Sequence, residues 1–562
     1  MAVLDSLSIS RWRGYARTAL RDDVVAACVV SVLLIPQSLA YALLAGLPAQ
    51  AGLYASLLPL VAYAALGSSR AMGVGPAAVL ALMISQALVD APAGVSPHEV
   101  ALVLAAEVGG LLALAAWWRL DALAALLSVP VLQGFETGAT LSIAASQLPV
   151  LVGASAHGSS LPDVAASWWH AARPGHALTA GYGLAALAVL WLARRYGPRG
   201  LPSIMSGSRA RLVTRLVPLG VLLAAMAAAA GLRAGDHGVV LVGRLPSLSW
   251  PLHLPALHPV LWQRMLPSAA LIALVTFVSS LVIAESLARR DGSQVSPRRE
   301  LAGLSAANLA AALSAGMPVA GSFSRSIVSI DAGARTRMAG VFTAALMAVA
   351  IVVLAEPLGV MPAAVLAATI LVAVLSGLEA GPFREAWRYS RPEGALMALV
   401  ALLTLVQGVA WALTIGVAGS IALLLQRTAR PHVALIGRVP GTEHFRNVGR
   451  HEVELTPGVV GLRIDESLLF TNARQLTDVV QQQVAAHPGT RRVVLLMSPV
   501  NRIDFSGLAA LQSLHEALRE RGIRLDLSEV KGPVLDALAR SDWAAWFDGQ
   551  VFLSNHQAML DA

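Results

Sequence analysis

The feature that most constrains this chain is its supply of long apolar runs carrying almost no charge. Val341–Ala355 and Leu396–Val406 are two of many, with Gly and Pro punctuating the spaces between them. Only 13% of the 562 residues are charged, and mean hydropathy is +0.67. A soluble fold of this size needs a far more polar surface, so the runs predict an α-helical polytopic membrane protein. At about 17–25 residues per span, about fourteen segments fit between Val24 and Gln426. Clear ones are Ala101–Trp117, Ala180–Ala193, Leu216–Gly231, Leu266–Ala288, Val341–Ala355 and Ala364–Leu378. Leu396–Gln426 holds two spans broken near Gln407-Gly408.

The formal charge of +8 suggests an acidic partner until its distribution is examined. After Gly437 there are 13 Lys and Arg against 15 Asp and Glu, so the excess lies in the apolar part. There arginines flank spans, as at Arg194, Arg195 and Arg199 or Arg289, Arg290, Arg298 and Arg299, the pattern of positive-inside loops. Nucleic acid is set aside as a partner; the lipid bilayer is the expected one. Cys28 is alone, which excludes an intrachain disulfide or a cysteine metal cluster. The basic, polar start shows no cleavable signal, so the first span is expected to insert with the amino terminus cytoplasmic.

Composition changes after Arg430-Pro431. Gly458–Ile464, Arg491–Met497 and Ile523–Leu527 read as strands; Ala473–Ala486, Leu508–Arg521 and Gly532–Phe547 read as helices. This alternation predicts a small α/β domain. The expected division is a membrane domain at 1–430 and a second domain at 431–562, cytoplasmic if the span count is even.

One polar knot interrupts the apolar part, Gly321-Ser322-Phe323-Ser324-Arg325-Ser326. An ionisable group deep in a membrane domain is costly and marks a substrate or ion path. A second interruption is Gly75-Pro76. Pro76 suits a first helical turn, where its missing N–H has no partner to lose. Helices starting near Gly75 and Ser322 expose unpaired N–H groups and partial positive charge, and two such ends aimed at one point cradle an anion. Ser322 or Ser324 could cap the second helix. Arg325 in a first turn opposes the helix dipole, which makes sense if a bound anion supplies the counter-charge; otherwise it pairs with a carboxylate or snorkels to water. Gln37 and Tyr41, four residues apart, share a helix face and can both donate to an oxyanion, or they join helices.

Several segments together resemble the sulfate permease (SulP) family, whose animal relatives include anion exchangers and prestin. They are Ile35–Pro48, Gly67–Arg70 with Gly73–Ala77, Pro318–Arg325 with Ala332–Thr336, and Arg430–Val433 leading into Gly437–Asn447. Ile503-Asp504-Phe505-Ser506-Gly507-Leu508 looks like the signature of the STAS domain these permeases carry. The resemblance implies a 7+7 inverted repeat divided into core and gate domains, a small cytoplasmic α/β STAS domain, a homodimer, and elevator-like movement of core against gate. It places the substrate between half-helices starting near Gly75 and Ser322, lined by Gln37, Tyr41, Gly75, Pro76, Ala77, Ser322, Phe323, Ser324, Arg325 and Ser326.

One departure stands out. Many bacterial relatives carry an acid in a Phe-x-Glu-Ser pattern, thought to couple transport to H+ or Na+. This chain reads Phe277-Val278-Ser279-Ser280. Glu285 lies six residues on, about 240° around a helix, so it reads as an i+4 partner of Arg289 rather than a coupling acid. Glu107 and Glu136 are expected to pack or relay. Ser506 matches a position phosphorylated in related STAS proteins, and also reads as a helix N-cap. A protein partner for the STAS domain is possible by the same resemblance. Trp168-Trp169 are expected at a membrane interface.

No dinucleotide fingerprint, metal-ligand spacing or nucleophile–base pair is present, so neither an enzyme nor a cofactor is expected. The expectation is a secondary transporter in a bacterial inner membrane, with both termini cytoplasmic and sulfate the first substrate considered. Bicarbonate, a dicarboxylate, a channel-like mode, or a membrane platform for STAS-mediated signalling are the competing readings.

Overall fold

The computed structural model describes residues 17–120, 127–154, 160–171, 175–200, 207–243, 253–375 and 378–560. The chain divides into two compact units, Met1–Ser420 and Ile421–Ala562.

The first unit opens with α1 (Arg17–Leu44), α2 (Ala49–Tyr54), α3 (Leu58–Leu66), strand β1 (Gly73–Gly75), α4 (Ala78–Ala87) and α5 (Pro97–Trp117). Then come α6 (Val129–Val152), α7 (Leu161–Trp169), α8 (Ala177–Gly200) and α9 (Gly207–Gly231). The second half repeats this order with α10 (Pro259–Asp291), α11 (Pro297–Leu313), β2 (Ala320–Ser322), α12 (Phe323–Asp331), α13 (Met338–Gly359) and α14 (Ala363–Leu375). It ends with α15 (Gly381–Tyr389), α16 (Arg391–Val406) and α17 (Val409–Ala429), which runs on into the second unit. Counting α2 with α3 as one segment, and leaving the short α7 and α15 aside, gives the seven-plus-seven arrangement, each third segment being a short strand leading into a half-helix. Among the described residues, six stretches reach spanning length by apolarity alone, including Ala19–Leu44, Pro97–Trp117 and Pro259–Arg289.

Local chemistry sets the boundaries. The Ser96 hydroxyl accepts from Glu99 N while the Glu99 carboxylate accepts from Ser96 N, a capping box that starts α5. Gly408, at φ +90°, breaks the run between α16 and α17, and Gln86 Oε1 accepts the freed Val409 N–H at 3.0 Å. Trp169, at the end of α7, is exposed.

The helices sort into two bundles. In one, α11 packs on α5 and α3, α10 on α5, and α13 on α1 and α3; in the other, α6 packs on α14 and α16, and α8 on α9 and α14. The first bundle therefore combines the first four segments of each half, and the second the last three. In the first bundle α1 and α2 approach closely, and a Cβ on Gly52 would fall 1.8 Å from the Ser38 carbonyl oxygen. Ser38 and Ser56 hydroxyls join the same crossing at 2.7 Å, the polar glue of a membrane interface. Glu300 is fully buried, and its carboxylate accepts from Tyr63 Oη at 2.8 Å, Ser68 N at 3.0 Å and Ser69 N at 2.9 Å.

The second unit holds a six-stranded sheet of β3 (Val433–Arg438), β4 (Phe445–Asn447), β5 (Val459–Ile464), β6 (Arg492–Leu496), β7 (Arg524–Ser528) and β8 (Val551–Phe552). Spatial order is β4-β3-β5-β6-β7-β8, antiparallel on both sides of β3 and parallel from β5 onward. Every residue of β6 is buried, as a central parallel strand covered on both faces requires. The helices are α18 (Ala473–Ala486), α19 (Phe505–Glu520), α20 (Gly532–Leu538), α21 (Trp543–Trp546) and α22 (Asn555–Leu560).

Two expectations are corrected here. The single helix expected over Gly532–Phe547 breaks between α20 and α21, where Ser541 Oγ bonds the Leu538 carbonyl at 2.7 Å and accepts from Trp543 N at 3.3 Å, in competition with the helix. Ser506 is not the N-cap of α19: Asp504 caps it, accepting from Gly507 N at 2.8 Å, and Ser506 lies exposed in the first turn.

Candidate functional site

The two interruptions meet. β1 and β2 pair antiparallel, with Gly73 opposite Ser322, Val74 opposite Gly321 and Gly75 opposite Ala320. This short ladder brings the starts of α4 and α12 together. Neither start has a side-chain cap: Ala77 and Ser322 hold the cap positions in extended conformation, and no side-chain oxygen bonds the first-turn N–H groups. Two uncapped helix ends carry partial positive charge and donors free for an anion.

The predicted residues divide between two sides of this ladder. Phe323 and Ser324 are exposed, with Ser322 and Ala77 half-buried, and the Ser322 and Ser324 hydroxyls lie 3.4 Å apart. Gly75, Pro76, Arg325 and Ser326 are buried. Ser326 links strand to helix, accepting from Gly73 N at 3.0 Å and donating to the Ser322 carbonyl at 2.6 Å.

Arg325 is only 2% exposed. Its Nη1 donates to the Pro76 carbonyl at 2.7 Å, while Nε and Nη2 have no partner among the described residues. No described carboxylate pairs with it, and it does not snorkel. A Cβ on Gly75 would stand 3.3 Å from Nη2, so the guanidinium lies against the bare glycine backbone. Arg325 also borders an internal cavity of about 30 Å³ lined by Tyr63, Arg70 and Arg337. That is room for about one or two waters, too little for a multi-atom anion. The exposed Ser324 and the buried Arg325 thus lie on opposite sides of the ladder.

On the contiguous α1, Gln37 and Tyr41 share a face, and α1 packs against both α4 and α12. Neither side chain hydrogen-bonds another described residue, and Tyr41 interacts electrostatically with Arg325. Both are free to donate to a ligand.

Two residues not singled out from sequence hold the ladder in place. Asn308, fully buried on α11, donates to the Val319 carbonyl at 3.0 Å and accepts from Val319 N at 2.9 Å. Ser280 on α10 accepts from Gly321 N at 2.9 Å. The signal for Asn308 was present, a lone amide in an alanine-rich apolar helix. Ser279 turns back onto its own helix, donating to the Val275 carbonyl at 2.6 Å. Glu285 is exposed and, contrary to expectation, forms no ion pair with Arg289 among the described residues. Glu107 is buried on α5 with Oε2 unpartnered, and Glu136 is exposed.

The comparisons agree with this architecture. The sulfate permease family matches residues 20–401, and the STAS domain matches residues 450–558. A probable sulfate transporter of Mycobacterium tuberculosis is 34% identical over 540 residues, covering 94% of this chain and 93% of its own. Probable sulfate transporter 4.2 of Arabidopsis thaliana is 32% identical, covering 94% of this chain and 78% of its own. The structure of the murine Solute Carrier 26 family member A9 anion transporter, inward-facing, matches with a TM-score of 0.89 at 21% identity, over 100% of this chain and 94% of that one. The transmembrane domain of a cyanobacterium bicarbonate transporter matches with a TM-score of 0.58 at 19% identity, over 72% of this chain and 98% of that one. At those identities the two structures speak for the fold alone. The family match and the two sequence relatives go further: this chain is a multi-pass membrane protein that belongs to the sulfate permease family and carries a STAS domain at its C-terminal end.

Proposed function

We propose that this protein is a secondary transporter of a small oxyanion, sulfate first, across a bacterial inner membrane. The observation that carries the reading is the Arg325 guanidinium, buried without a carboxylate and set behind two uncapped helix starts. Such a site concentrates positive potential that favours an anion. The relatives named as sulfate transporters favour sulfate over bicarbonate or a dicarboxylate. Ser322, Ser324, Gln37 and Tyr41 supply neutral donors on the open side, and Ala77 contributes backbone and room. No catalytic step is assigned to the chain.

In this reading the bundle holding β1 and β2 moves against the other bundle as an elevator, in a homodimer with both termini cytoplasmic. The STAS domain serves regulation or a protein partner, with the exposed Ser506 open to a modifying enzyme. Ser279 favours a second mode. With no carboxylate at that position, exchange or uncoupled passage fits better than H+ or Na+ symport.

Uptake into proteoliposomes with a panel of labelled anions, with and without a pH gradient, tests this. Saturable sulfate uptake that a pH gradient leaves unchanged is expected. Absence of uptake for every anion overturns the reading, and uptake that follows the gradient overturns the uncoupled mode.

A further inference from the structure

Helix α6 has 24 residues, long enough to cross a hydrocarbon core of about 30 Å. It is nevertheless not among the six stretches that are apolar enough to span on that ground alone. Over its first half the polar residues gather on one face. Gln133, Glu136, Thr137 and Thr140 fall within about 100° of one another around the helix, and none of them is buried. The remaining sides are packed. A Cβ on Gly134 would fall 2.4 Å from the Met397 carbonyl oxygen and one on Gly138 2.6 Å from that of Ala401, so one side lies against α16. Leu132, Phe135 and Ala139 are buried on a second side.

Glu136 is the exposed member of the polar face, and among the described residues no cation pairs with it. A carboxylate within a membrane span faces water or protein rather than hydrocarbon. Exposed helix faces elsewhere in this unit are apolar, as at Val349, Val352 and Val353 of α13 or Leu184, Val189 and Leu192 of α8. The polar face of α6 is therefore not a lipid face.

Its depth matches the anion cradle. Helix α6 packs against α4, whose start forms half of the cradle. Gln86, near the end of α4, accepts from Val409 N at 3.0 Å, and Ser142 of α6 donates to the Thr404 carbonyl at 3.4 Å. Counted back from the Gln86–Val409 bond at 1.5 Å per residue, Ala78 lies about 12 Å away along α4. Glu136 lies about 16 Å away by way of Thr404 and Ser142, within one helical turn of the same depth.

We propose that this face of α6 walls the aqueous path opposite the anion cradle, and that the Glu136 carboxylate sets how tightly the site holds a dianion. The inference rests on the transport reading above. Arg325 and two helix starts draw an anion in, but a transport site must also let it leave. A carboxylate across the path makes the well shallower. Coulomb energy scales with the charge of the anion, so a dianion feels that carboxylate twice as strongly as a monoanion does.

The test is binding of labelled sulfate, and its displacement by nitrate, in purified Glu136→Gln at about pH 8, above the usual carboxylate range. Sulfate should bind about tenfold more tightly and nitrate about threefold, because doubling the charge squares the factor. A role in packing alone would move both anions alike. Sulfate affinity that is unchanged or weakened, or a nitrate change as large as that for sulfate, overturns the inference while the transport reading stands. Failure of the unaltered protein to bind sulfate overturns both. Position is checked separately with Glu136→Cys in a Cys28→Ser background, reconstituted in proteoliposomes. A cationic methanethiosulfonate reagent should modify the new thiol, and saturating sulfate should slow the reaction several-fold. No modification places residue 136 against lipid or protein, and modification that sulfate does not slow places it in water away from the path; either result overturns the inference.

Discussion

Arg325 Nη1 donates to the carbonyl oxygen of Pro76 across 2.7 Å and 249 residues of sequence. The bond ties the first turn of α12 to the peptide that leads into α4. A carbonyl is neutral, so this partner fixes the guanidinium in place without cancelling its charge. One side chain thus contributes to both the geometry and the potential at the two helix starts.

Arg325→Lys separates the two roles. Lysine keeps a charge and loses the planar fork. Sulfate affinity should fall by about tenfold or less, since the charge acting through space is kept and only the bond to the Pro76 carbonyl is lost. Isothermal titration checks this, and a loss as deep as that of a neutral substitution would contradict it.

Asn308→Ala leaves the Val319 N–H and carbonyl without partners in the buried approach to β2. Each orphaned group costs about 1–3 kcal/mol. Thermal stability should drop, and sulfate affinity with it, although Asn308 lies on α11 behind the ladder. Undiminished affinity in a stably folded variant would show that β2 does not need this anchor.

Ser279→Glu puts a carboxylate next to Ser280, which holds Gly321. Ionised, it lowers the positive potential of the site; protonated, it does not. Uptake by this variant should fall at high pH and recover as pH drops, whereas the unaltered protein carries no acid at this position. A flat pH profile in the variant would place Ser279 outside the electrostatic reach of the site.

In the STAS domain, partial burial raises the pKa of Asp465, but hydrogen bonds from Arg463 and His432 and their charges outweigh it and hold the carboxyl below its ordinary value. A lowered folded-state pKa stabilises above the unfolded value of about 3.9 and is lost as pH falls through the folded one. Asp465 N–H donates to the His432 carbonyl at 3.0 Å. Its hydrogen exchange should be faster in Asp465→Asn at neutral pH, and the difference should close below about pH 4. A difference that persists in acid would rule out this linkage.

Much of the fold was legible because membrane and sheet both impose simple periods. The break at Gln407-Gly408 and the helix Ala473–Ala486 fall where hydropathy and turn chemistry place them. The strand pair could not be read this way, since three residues of β1 and three of β2 carry no periodicity, and their pairing spans nearly 250 residues. The site residues stood out because charge and serine are rare among apolar runs. Their sidedness was hidden, because facing depends on how α12 is set against the ladder: Ser324 faces outward while Arg325 and Ser326 turn in. Ser506 misled for a local reason, as Asp504 two residues earlier offers a stronger acceptor to the same helix start.

Equilibrium binding of labelled sulfate to purified Arg325→Ala tests the central claim most directly, with monodispersity and thermal midpoint measured alongside. Loss of affinity by about tenfold to a hundredfold or more, the worth of a buried positive charge acting on the anion through space, is predicted in a protein that remains folded. A folded Arg325→Ala protein that binds sulfate as the unaltered chain does would contradict the account.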